Sequence, residues 1–251
     1  MTGVNDEVND SVLVEAQGVG KAYVTQAGSV PALKGVNLAV KAGELVALVG
    51  PTGSGKTTLL NLLAGLETPD AGEVVLAGEA LGRLNEDGRA DRRARLVGMV
   101  FQRFNLFPGF TVLENVGLPL RLMRRPPFDA HRRAQELLEQ FGLAELAARY
   151  PGELSQGQRQ LVAVARALAA DPPLILADEP TANLDSQAAR AILSRLRGLV
   201  ADGAHGVLLA THDVRAASHA DRVLSLRDGR IVKETVLEDG RDSRSVLAEL
   251  V

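Results

Sequence analysis

A glycine-rich segment that ends in Lys-Thr is the clearest chemical signal in this chain. Residues 50–58 read GPTGSGKTT and directly follow the apolar run 45–49. The segment fits the pattern G-x-x-x-x-G-K-[ST], in which backbone N–H groups surround phosphate oxygens, a lysine adds positive charge and a hydroxyl binds Mg²⁺. A helix is predicted to begin here, and its N-terminal dipole would favour the same anion. The segment therefore predicts a site for a nucleoside triphosphate.

The individual contacts follow from this pattern. Glycines at positions 50, 53 and 55 allow backbone conformations that a side chain would block. Lys56 is predicted at the β- and γ-phosphates, and Thr57 at Mg²⁺. A glycine-rich turn without a ligand is the alternative, but the glycine spacing, the Lys-Thr pair and the strand-to-helix context all match the motif. The predicted nucleotide contacts are Gly50, Pro51, Thr52, Gly53, Ser54, Gly55, Lys56, Thr57 and Thr58.

A second apolar run ends in two carboxylates. Residues 174–177 read LILA, and Asp178 and Glu179 follow. Ligands of open α/β sheets bind at the carboxyl ends of the strands. Asp178 is the predicted Mg²⁺ partner, and Glu179 is predicted to orient and polarise the attacking water, because phosphoryl transfer depends on positioning and charge stabilisation. Acids at a strand end are usually solvated loop residues, and the phosphate loop in the same sheet favours the catalytic interpretation here.

The composition is that of a globular protein and excludes several classes of function. The chain has 251 residues, of which 46% are hydrophobic, so it can bury a full core. With a net charge of −3, 3% aromatic residues and no tryptophan, it offers no basic stacking surface, and we expect no nucleic-acid partner. The absence of cysteine excludes disulfides and cysteine-ligated metals. The polar start and the strand-sized apolar runs predict a soluble, cytoplasmic protein.

Strand and helix patterns alternate on both sides of a helical insert. Short strands broken by glycine are predicted in the first third of the chain, and alternation returns later with a helix over 186–200. Continuous apolar strands predict a parallel sheet that is buried on both faces. Asp228-Gly229 predicts a hairpin turn. The predicted units are a disordered tail (1–11), a domain (12–235) that contains the helical insert (about 84–155), and a short C-terminal extension (236–251).

The pentapeptide LSQGQ at residues 154–158 precedes another predicted helix. Ser155 and Gln158 form a capping box, which by itself needs no function beyond stabilising the helix start. The pentapeptide nevertheless resembles LSGGQ, the signature of the ATP-binding-cassette (ABC) ATPases, and the phosphate loop and strand-end acids stand in that family's order. Gln156 replaces the first glycine of the signature, which leaves Ser155 and Gly157 to contact phosphate.

The resemblance covers nearly all of residues 12–235 and implies further site residues. Tyr23 stands where the family stacks an aromatic ring on adenine, and Gln102 matches a glutamine that senses Mg²⁺ and the γ-phosphate. Asp185 matches the D-loop, and His212 matches the switch histidine; on their own, Tyr23 would be a packing residue and His212 a loop residue. The resemblance thus implies Glu179, His212 and Gln102 in catalysis, Thr57, Gln102 and Asp178 at the metal, and Tyr23, Gln102, Ser155, Gly157, Gln158, Asp185 and His212 at the nucleotide.

The same resemblance implies fold, cofactors and partners. We expect an α/β fold, a P-loop NTPase of ABC type with a RecA-like parallel-sheet core, an antiparallel β subdomain and a helical subdomain. ATP and Mg²⁺ would bind between two copies arranged head to tail, and the dimer would drive a separate membrane permease, so that the protein lies peripherally on the inner face of the cell membrane. The motifs within 100–120 resemble the lipoprotein-release and macrolide-exporter group.

The permease is expected to dock near Gln102–Pro119, and two interpretations of that segment stay open. Phe104, Leu106, Phe107 and Phe110 either line a partner groove or form the core of the helical insert. Two other functions also stay open. One is a soluble ABC ATPase of DNA repair or translation, although zinc motifs, coiled coils and a second cassette are absent from the sequence. The other is a signalling complex that regulates a cell-wall hydrolase across the membrane, which would need almost the same cassette.

Overall fold

Two β-sheets organise the chain in the computed structural model, which describes residues 12–26, 28–182 and 184–237. The strands are β1 (Val12–Thr25), β2 (Gly28–Lys41), β3 (Leu45–Val49), β4 (Ala71–Leu76), β5 (Glu79–Ala80), β6 (Val97–Val100), β7 (Leu174–Asp178), β8 (Gly206–Thr211), β9 (Arg222–Arg227) and β10 (Arg230–Val236). The helices are α1 (Lys56–Leu63), α2 (Glu86–Leu96), α3 (Val112–Leu122), α4 (Ala130–Gln140), α5 (Gln156–Ala167), α6 (Ser186–Val200) and α7 (Val214–Ala217).

The larger sheet has six strands in the order β10-β9-β3-β8-β7-β6. All neighbouring pairs are parallel except β10 with β9. Every residue of β3, β7 and β8 is buried, as expected for parallel strands covered by helices on both faces. The predicted parallel-sheet core is therefore confirmed. Because these strands run in the same direction, the loops that follow β3, β7 and β8 meet at one edge of the sheet.

The smaller sheet is antiparallel and has the order β2-β1-β4-β5. It shares an apolar core with α1 and with one face of the larger sheet, so α1 lies between the two sheets. Strands β1 and β2 form a long hairpin whose last pair is Thr25 with Gly28. The antiparallel β subdomain is thus confirmed, and the hairpin brings Tyr23 towards the start of α1.

The helical part of the chain is shorter than the sequence analysis predicts. Helices α3, α4 and the apolar face of α5 pack on a core that they share with the large sheet. The predicted insert of about 84–155, however, includes strand β6, which pairs in parallel with β7 from Val97 opposite Leu174 onward. The prediction of a helical insert is wrong at this strand. Its four residues are too few to show a period of two, and the Arg-rich sequence of α2 precedes them without a break.

Other predicted elements agree with the structure. Helix α6 spans the predicted residues 186–200, and Asp228 and Gly229 form the turn between β9 and β10 with φ of 50° and 77°. The predicted tail 1–11 lies outside the described residues, as do Asn183 and the extension beyond residue 237. In the part of the chain that the structure describes, no helix is long and apolar enough to cross a membrane.

Candidate nucleotide site

The phosphate loop joins the end of β3 to the start of α1. Gly55, directly before α1, has φ of 108°, and a side chain there would place its Cβ 2.6 Å from the Ala32 carbonyl oxygen. A Cβ at Gly50 would collide with the Leu226 carbonyl oxygen. Both glycines are therefore required by the close approach of neighbouring backbone, and the loop can direct its N–H groups towards an anion.

Lys56 lies inside this loop. Its Nζ donates to the carbonyl oxygens of Gly50 at 2.8 Å and Pro51 at 3.2 Å, and it lies 3.6 Å from Glu179 Oε1. The residue is only 7% exposed. A buried ammonium group so close to the loop backbone and the strand-end acid is positioned to meet the terminal phosphates of a nucleotide.

Thr57 and Asp178 face each other across the same edge of the sheet. Thr57 Oγ1 donates to Asp178 Oδ2 at 2.8 Å, whereas the buried Oδ1 of Asp178 has no hydrogen-bond partner among the described residues. Burial raises the pKa of the Asp178 carboxyl, the Thr57 hydrogen bond opposes this shift, and the charge of Glu179 adds to it. An unpartnered carboxylate oxygen beside a hydroxyl matches the hard oxygen ligands that Mg²⁺ prefers. These two residues fit the predicted metal site.

Glu179 is held from several directions. Its backbone has φ of 47°, an uncommon conformation for a residue with a side chain, and its N–H donates to the Ala210 carbonyl at 2.9 Å. Oε1 lies 2.9 Å from His212 Nδ1, and Oε2 lies 3.4 Å from the His212 backbone nitrogen. Strained conformations of this kind persist where the surroundings enforce them, often at functional sites. The structure thus brings Glu179, His212 and Lys56 together.

Among the described residues, no hydrogen bond or ion pair joins Gln102 or Asp185 to this cluster. Gln102 is exposed and follows β6, whose last residue Val100 pairs with Ala177, so it emerges at the same edge of the sheet as Asp178. Asp185 caps α6 by accepting from the backbone N–H groups of Gln187 and Ala188, both at 2.9 Å. Within a single chain, the carboxylate of Asp185 therefore serves as the N-terminal cap of α6.

The signature segment lies at the start of α5. Gln158 donates its N–H to Ser155 Oγ at 3.2 Å, and Ser155 donates its N–H to Gln158 Oε1 at 2.9 Å, which confirms the predicted capping box. A Cβ at Gly157 would lie 3.1 Å from Ala188 Cβ, so the starts of α5 and α6 touch. Within the described part of the chain, no hydrogen bond or ion pair joins this segment to the cluster around Lys56.

Arg166 of α5 is a residue whose role the sequence analysis misses. It is 8% exposed, and its guanidinium donates to the carbonyl oxygens of Phe104, at 2.8 Å, and Asn105. Burial lowers its pKa to about 10, so it stays charged at neutral pH. Phe104 and Asn105 both have positive φ, 60° and 50°. A lone arginine in the otherwise apolar run 161–170 is the signal that could have revealed this buried contact.

An apolar groove of about 420 Å³ lies beside that bend, between β6, α3 and the end of α5. Phe107 lines the groove and is 51% exposed; its ring stacks on Phe110, with 5.5 Å between the ring centroids. Leu106 packs against the core instead. The buried side chain of Asn115 fixes this turn, because it accepts from the Phe107 N–H and donates to the carbonyl oxygens of Phe107 and Phe110. The side chains of Phe107 and Phe110 are therefore exposed to solvent rather than buried in the core.

Comparison with known proteins identifies the class of this site. The family model described as ABC transporter matches residues 33–182, and the chain belongs to this family. The lipoprotein-releasing system ATP-binding protein LolD of Pseudomonas syringae pv. tomato is 45% identical over 226 residues, which are 90% of this chain and 100% of that protein. The methionine import ATP-binding protein MetN of Caulobacter vibrioides is 43% identical over 228 residues, 90% of this chain and 68% of that protein.

A solved structure agrees with this assignment. The dimeric ATP-binding cassette MJ0796, in a post-hydrolysis state bound to ADP and Pi, is 41% identical, with a TM-score of 0.83 over 90% of this chain and 99% of that one. The predicted family, ABC ATPase fold and ATPase activity are therefore confirmed. This chain is the nucleotide-binding, ATP-hydrolysing subunit of an ABC transporter, and dimeric cassettes of its kind indicate a second copy as partner.

Proposed function

We propose that this chain powers an export or extraction system similar to the lipoprotein-releasing systems, through two Mg-ATP sites that are each shared between two copies. LolD proteins of several bacteria are 43–45% identical to the chain over 88–90% of its length. The import protein MetN is similarly identical, so sequence identity alone favours neither direction. The sequence of residues 100–120 resembles that of the lipoprotein-release and macrolide-exporter group, and this resemblance favours export.

The observation that carries the catalytic half of the proposal is the position of Glu179 between two polar neighbours. His212 Nδ1 lies 2.9 Å and Lys56 Nζ 3.6 Å from the same carboxylate oxygen. We assign Lys56 to the β- and γ-phosphates and Glu179 to the attacking water. His212 would hold the Glu179 carboxylate in place and approach the γ-phosphate. Stabilisation of charge by groups already in position is the main source of catalysis in phosphoryl transfer.

The proposed metal ligands are Asp178, Thr57 and Gln102. Among the described residues, no group of three or more His, Cys, Asp or Glu side chains could hold a metal ion. Phosphate oxygens and water must therefore supply the remaining ligands of Mg²⁺, as is usual for this ion. When bound, Mg²⁺ neutralises charge that develops on the phosphates. Thr57 and Asp178 are already at hydrogen-bond distance, 2.8 Å, on the side of the site where this ion is needed.

The second half of each site would come from the start of α5 in the other copy. The capping box satisfies the N–H of Gln158, whereas those of Gln156 and Gly157 in the first helical turn have no acceptor within the helix. Such a helix start binds anions. Contact with a γ-phosphate held by Lys56 of another copy would make dimerisation depend on ATP, and hydrolysis would weaken it.

The permease is proposed to dock in the groove beside Phe107. The segment from Gln102 to Pro119 runs from the nucleotide edge of the sheet to the groove, and Phe107 and Phe110 are its exposed aromatic residues. A helix in an apolar groove is a recurrent mode of recognition. We infer that the occupant is an amphipathic cytoplasmic helix of the permease, which would hold the protein on the inner face of the membrane.

The test of the transport direction is isolation of the complex from native membranes. A tagged Glu179→Gln chain, purified with Mg-ATP, should bring with it a membrane protein with few spans and a large extracytoplasmic domain. The same complex, purified with the wild-type chain and placed in lipid vesicles, should then release a membrane-anchored acylated protein on addition of ATP. A permease that takes up a solute would overturn the export proposal. A permease that binds a cell-wall hydrolase and releases nothing would support the signalling alternative instead.

A further inference from the structure

Tyr23 is positioned by contacts rather than by burial. It lies near the turn of the β1–β2 hairpin, opposite Val30, and is 38% exposed; its neighbour Val24 is 91% exposed. Packing alone therefore does not fix the ring. The shared core and the approach of Ala32 to Gly55 place the hairpin beside the phosphate loop, and the hydrogen bonds of the Tyr23 hydroxyl decide where the ring itself lies.

Glu67 supplies one such contact. The Tyr23 hydroxyl donates to Glu67 Oε2 at 2.7 Å and lies 3.4 Å from Thr58 Oγ1. The other carboxylate oxygen of Glu67 accepts from Asn61 Nδ2 at 2.9 Å, and the Glu67 N–H donates to the Asn61 carbonyl at 3.3 Å. Thr58 and Asn61 both belong to α1, the helix that begins at Lys56. Glu67 thus ties the ring of Tyr23 to the phosphate-binding helix.

Asp70 supplies a second contact three residues later. Its carboxylate accepts from the Ala22 N–H at 2.7 Å and from Lys21 Nζ at 3.1 Å, and its own N–H donates to the Gly20 carbonyl at 2.9 Å. Lys21 also donates to the carbonyl of Thr68 at 2.8 Å. The segment 67–70 therefore contacts four consecutive residues of β1, 20–23, and leaves the hairpin little freedom to shift along α1.

We propose that Glu67 is a positioning residue for the nucleotide base, and that it acts by holding the Tyr23 ring at a fixed place relative to the phosphate loop. The inference rests on the proposed role of Tyr23 as the ring that stacks on adenine. Base and phosphates are joined covalently, so a ring that is displaced from the phosphate loop cannot stack while the phosphates stay bound. Glu67 touches no nucleotide atom in this proposal and affects binding only through Tyr23.

The test separates base binding from phosphate binding on the full chain. The variants are Tyr23→Ala, Tyr23→Phe, Glu67→Ala, Glu67→Gln and the double variant Tyr23→Phe/Glu67→Ala. The control is Glu73→Ala, at a half-buried glutamate of β4, the strand that pairs with β1. Steady-state kinetics would give KM and kcat for Mg-ATP. Inhibition by inorganic triphosphate, which has no base, would report the phosphate loop alone, and thermal unfolding would report stability.

Tyr23→Phe and Glu67→Ala should each raise KM for Mg-ATP about tenfold, near the lower end of the effect of losing one hydrogen bond to a charged acceptor, with kcat within about twofold. The double variant should be no worse than either single one, because both remove the same contact. Glu67→Gln should recover much of the loss, since its amide oxygen can accept from the phenol. The inhibition constant of triphosphate should stay within about twofold in every variant.

Several results would overturn the inference. A wild-type KM in Glu67→Ala beside a raised KM in Tyr23→Ala would show that the ring stacks without help from Glu67. An equal weakening of triphosphate would show that Glu67 supports the phosphate loop instead. A wild-type KM in Tyr23→Ala would refute the stacking role itself, and with it the part of the proposed function on which this inference rests. If Glu67→Ala proves unstable, Tyr23→Phe and Glu67→Gln decide the question.

Discussion

Lys56 and Glu179, at the centre of the site, are expected to act at different stages: Lys56 stabilises bound ATP, and Glu179 stabilises the transition state of its hydrolysis. Lys56 lies inside the phosphate loop, where its charge can meet the phosphates of bound ATP, whereas Glu179 lies at the end of β7 and is held by His212. Loss of a group that contacts the bound nucleotide weakens binding, and loss of a group that acts in the transition state lowers turnover. The two side chains therefore allow two separable tests.

Lys56→Ala should weaken ATP binding at least about tenfold, whereas Glu179→Gln should bind ATP as the wild type does and lose at least about a hundredfold in turnover. The amide of Gln keeps the size of the glutamate and one acceptor oxygen, but it carries no negative charge and cannot act as a base. Equilibrium binding of ATP and steady-state phosphate release would be measured on both variants. Undiminished hydrolysis by Glu179→Gln would remove Glu179 from the catalytic role.

The residues of the motifs could be predicted from the sequence because they lie close together along the chain. The residues that support them could not be predicted, because they are distant in sequence. Lys56, Thr57 and the strand-end acids sit within short patterns whose geometry is nearly the same in every phosphate loop. Glu67 meets Tyr23 across 44 positions, and Arg166 meets Asn105 across 61. No periodic pattern in the sequence indicates either contact, since each depends on how the two sheets and α5 pack together.

At the scale of elements, α5 connects two regions of the molecule. Its first turn carries the capping box of Ser155, and its last turn carries Arg166, which holds the bend at Phe104 and Asn105. Arg159, two turns before Arg166, places its guanidinium 5.6 Å from the centre of the Phe104 ring. Any movement of α5 is therefore transmitted to the segment that follows Gln102 through direct contacts.

Arg166→Met should lower the free energy of unfolding by about 2–3 kcal/mol, because two hydrogen bonds from a charged donor are lost while most of the side-chain volume stays. Arg166→Lys should fall in between, since an ammonium group cannot reach both carbonyls in the same fork geometry. Urea denaturation would measure all three proteins. Arg124→Met, at an exposed position, is the control. Equal stabilities of wild type and Arg166→Met would show that the bend does not depend on this arginine.

Elements were predictable where their pattern was long enough to show a period. Helix α6 has fifteen residues with regularly spaced apolar positions, and its predicted bounds match the structure. Strand β6 has only four residues and was assigned to the helical insert. Its place at the end of the core sheet follows from pairing with β7, which is a long-range contact that no local pattern encodes.

At the scale of the whole molecule, the site within one copy is incomplete if the signature segment acts on ATP. Among the described residues, no hydrogen bond or ion pair joins the capped start of α5 to the Lys56 cluster, yet its first turn can bind an anion. Ser155→Arg should therefore leave ATP binding to the single chain intact and block the ATP-dependent dimer, because bulk and charge would enter the contact with the opposite nucleotide.

The dimer would be measured by size-exclusion chromatography of the Glu179→Gln protein with Mg-ATP, with and without Ser155→Arg. We expect the dimer fraction to fall at least about tenfold with the added arginine, as for other charges forced into an interface. Ser194→Arg, on the exposed side of α6, is the matched control and should dimerise normally. A dimer fraction that Ser155→Arg does not change would contradict the shared site.

Besides the contact with a second copy, the protein is proposed to make a contact with the permease. Phe107→Asp or Phe110→Asp should weaken co-purification of the permease, because truncation of a central aromatic anchor typically costs about 2 kcal/mol or more. Phe128→Asp is the matched control: Phe128 is 38% exposed, as Phe110 is 39% exposed, but its ring packs on Arg133, whereas the ring of Phe110 stacks on Phe107, which lines the groove. Thermal unfolding separates the two interpretations of these aromatic residues. Substitution of a core residue would lower stability, whereas Phe107 is half exposed and its substitution should change stability little. Wild-type recovery of the permease with both Phe107→Asp and Phe110→Asp, at unchanged stability, would place the docking surface elsewhere on the molecule.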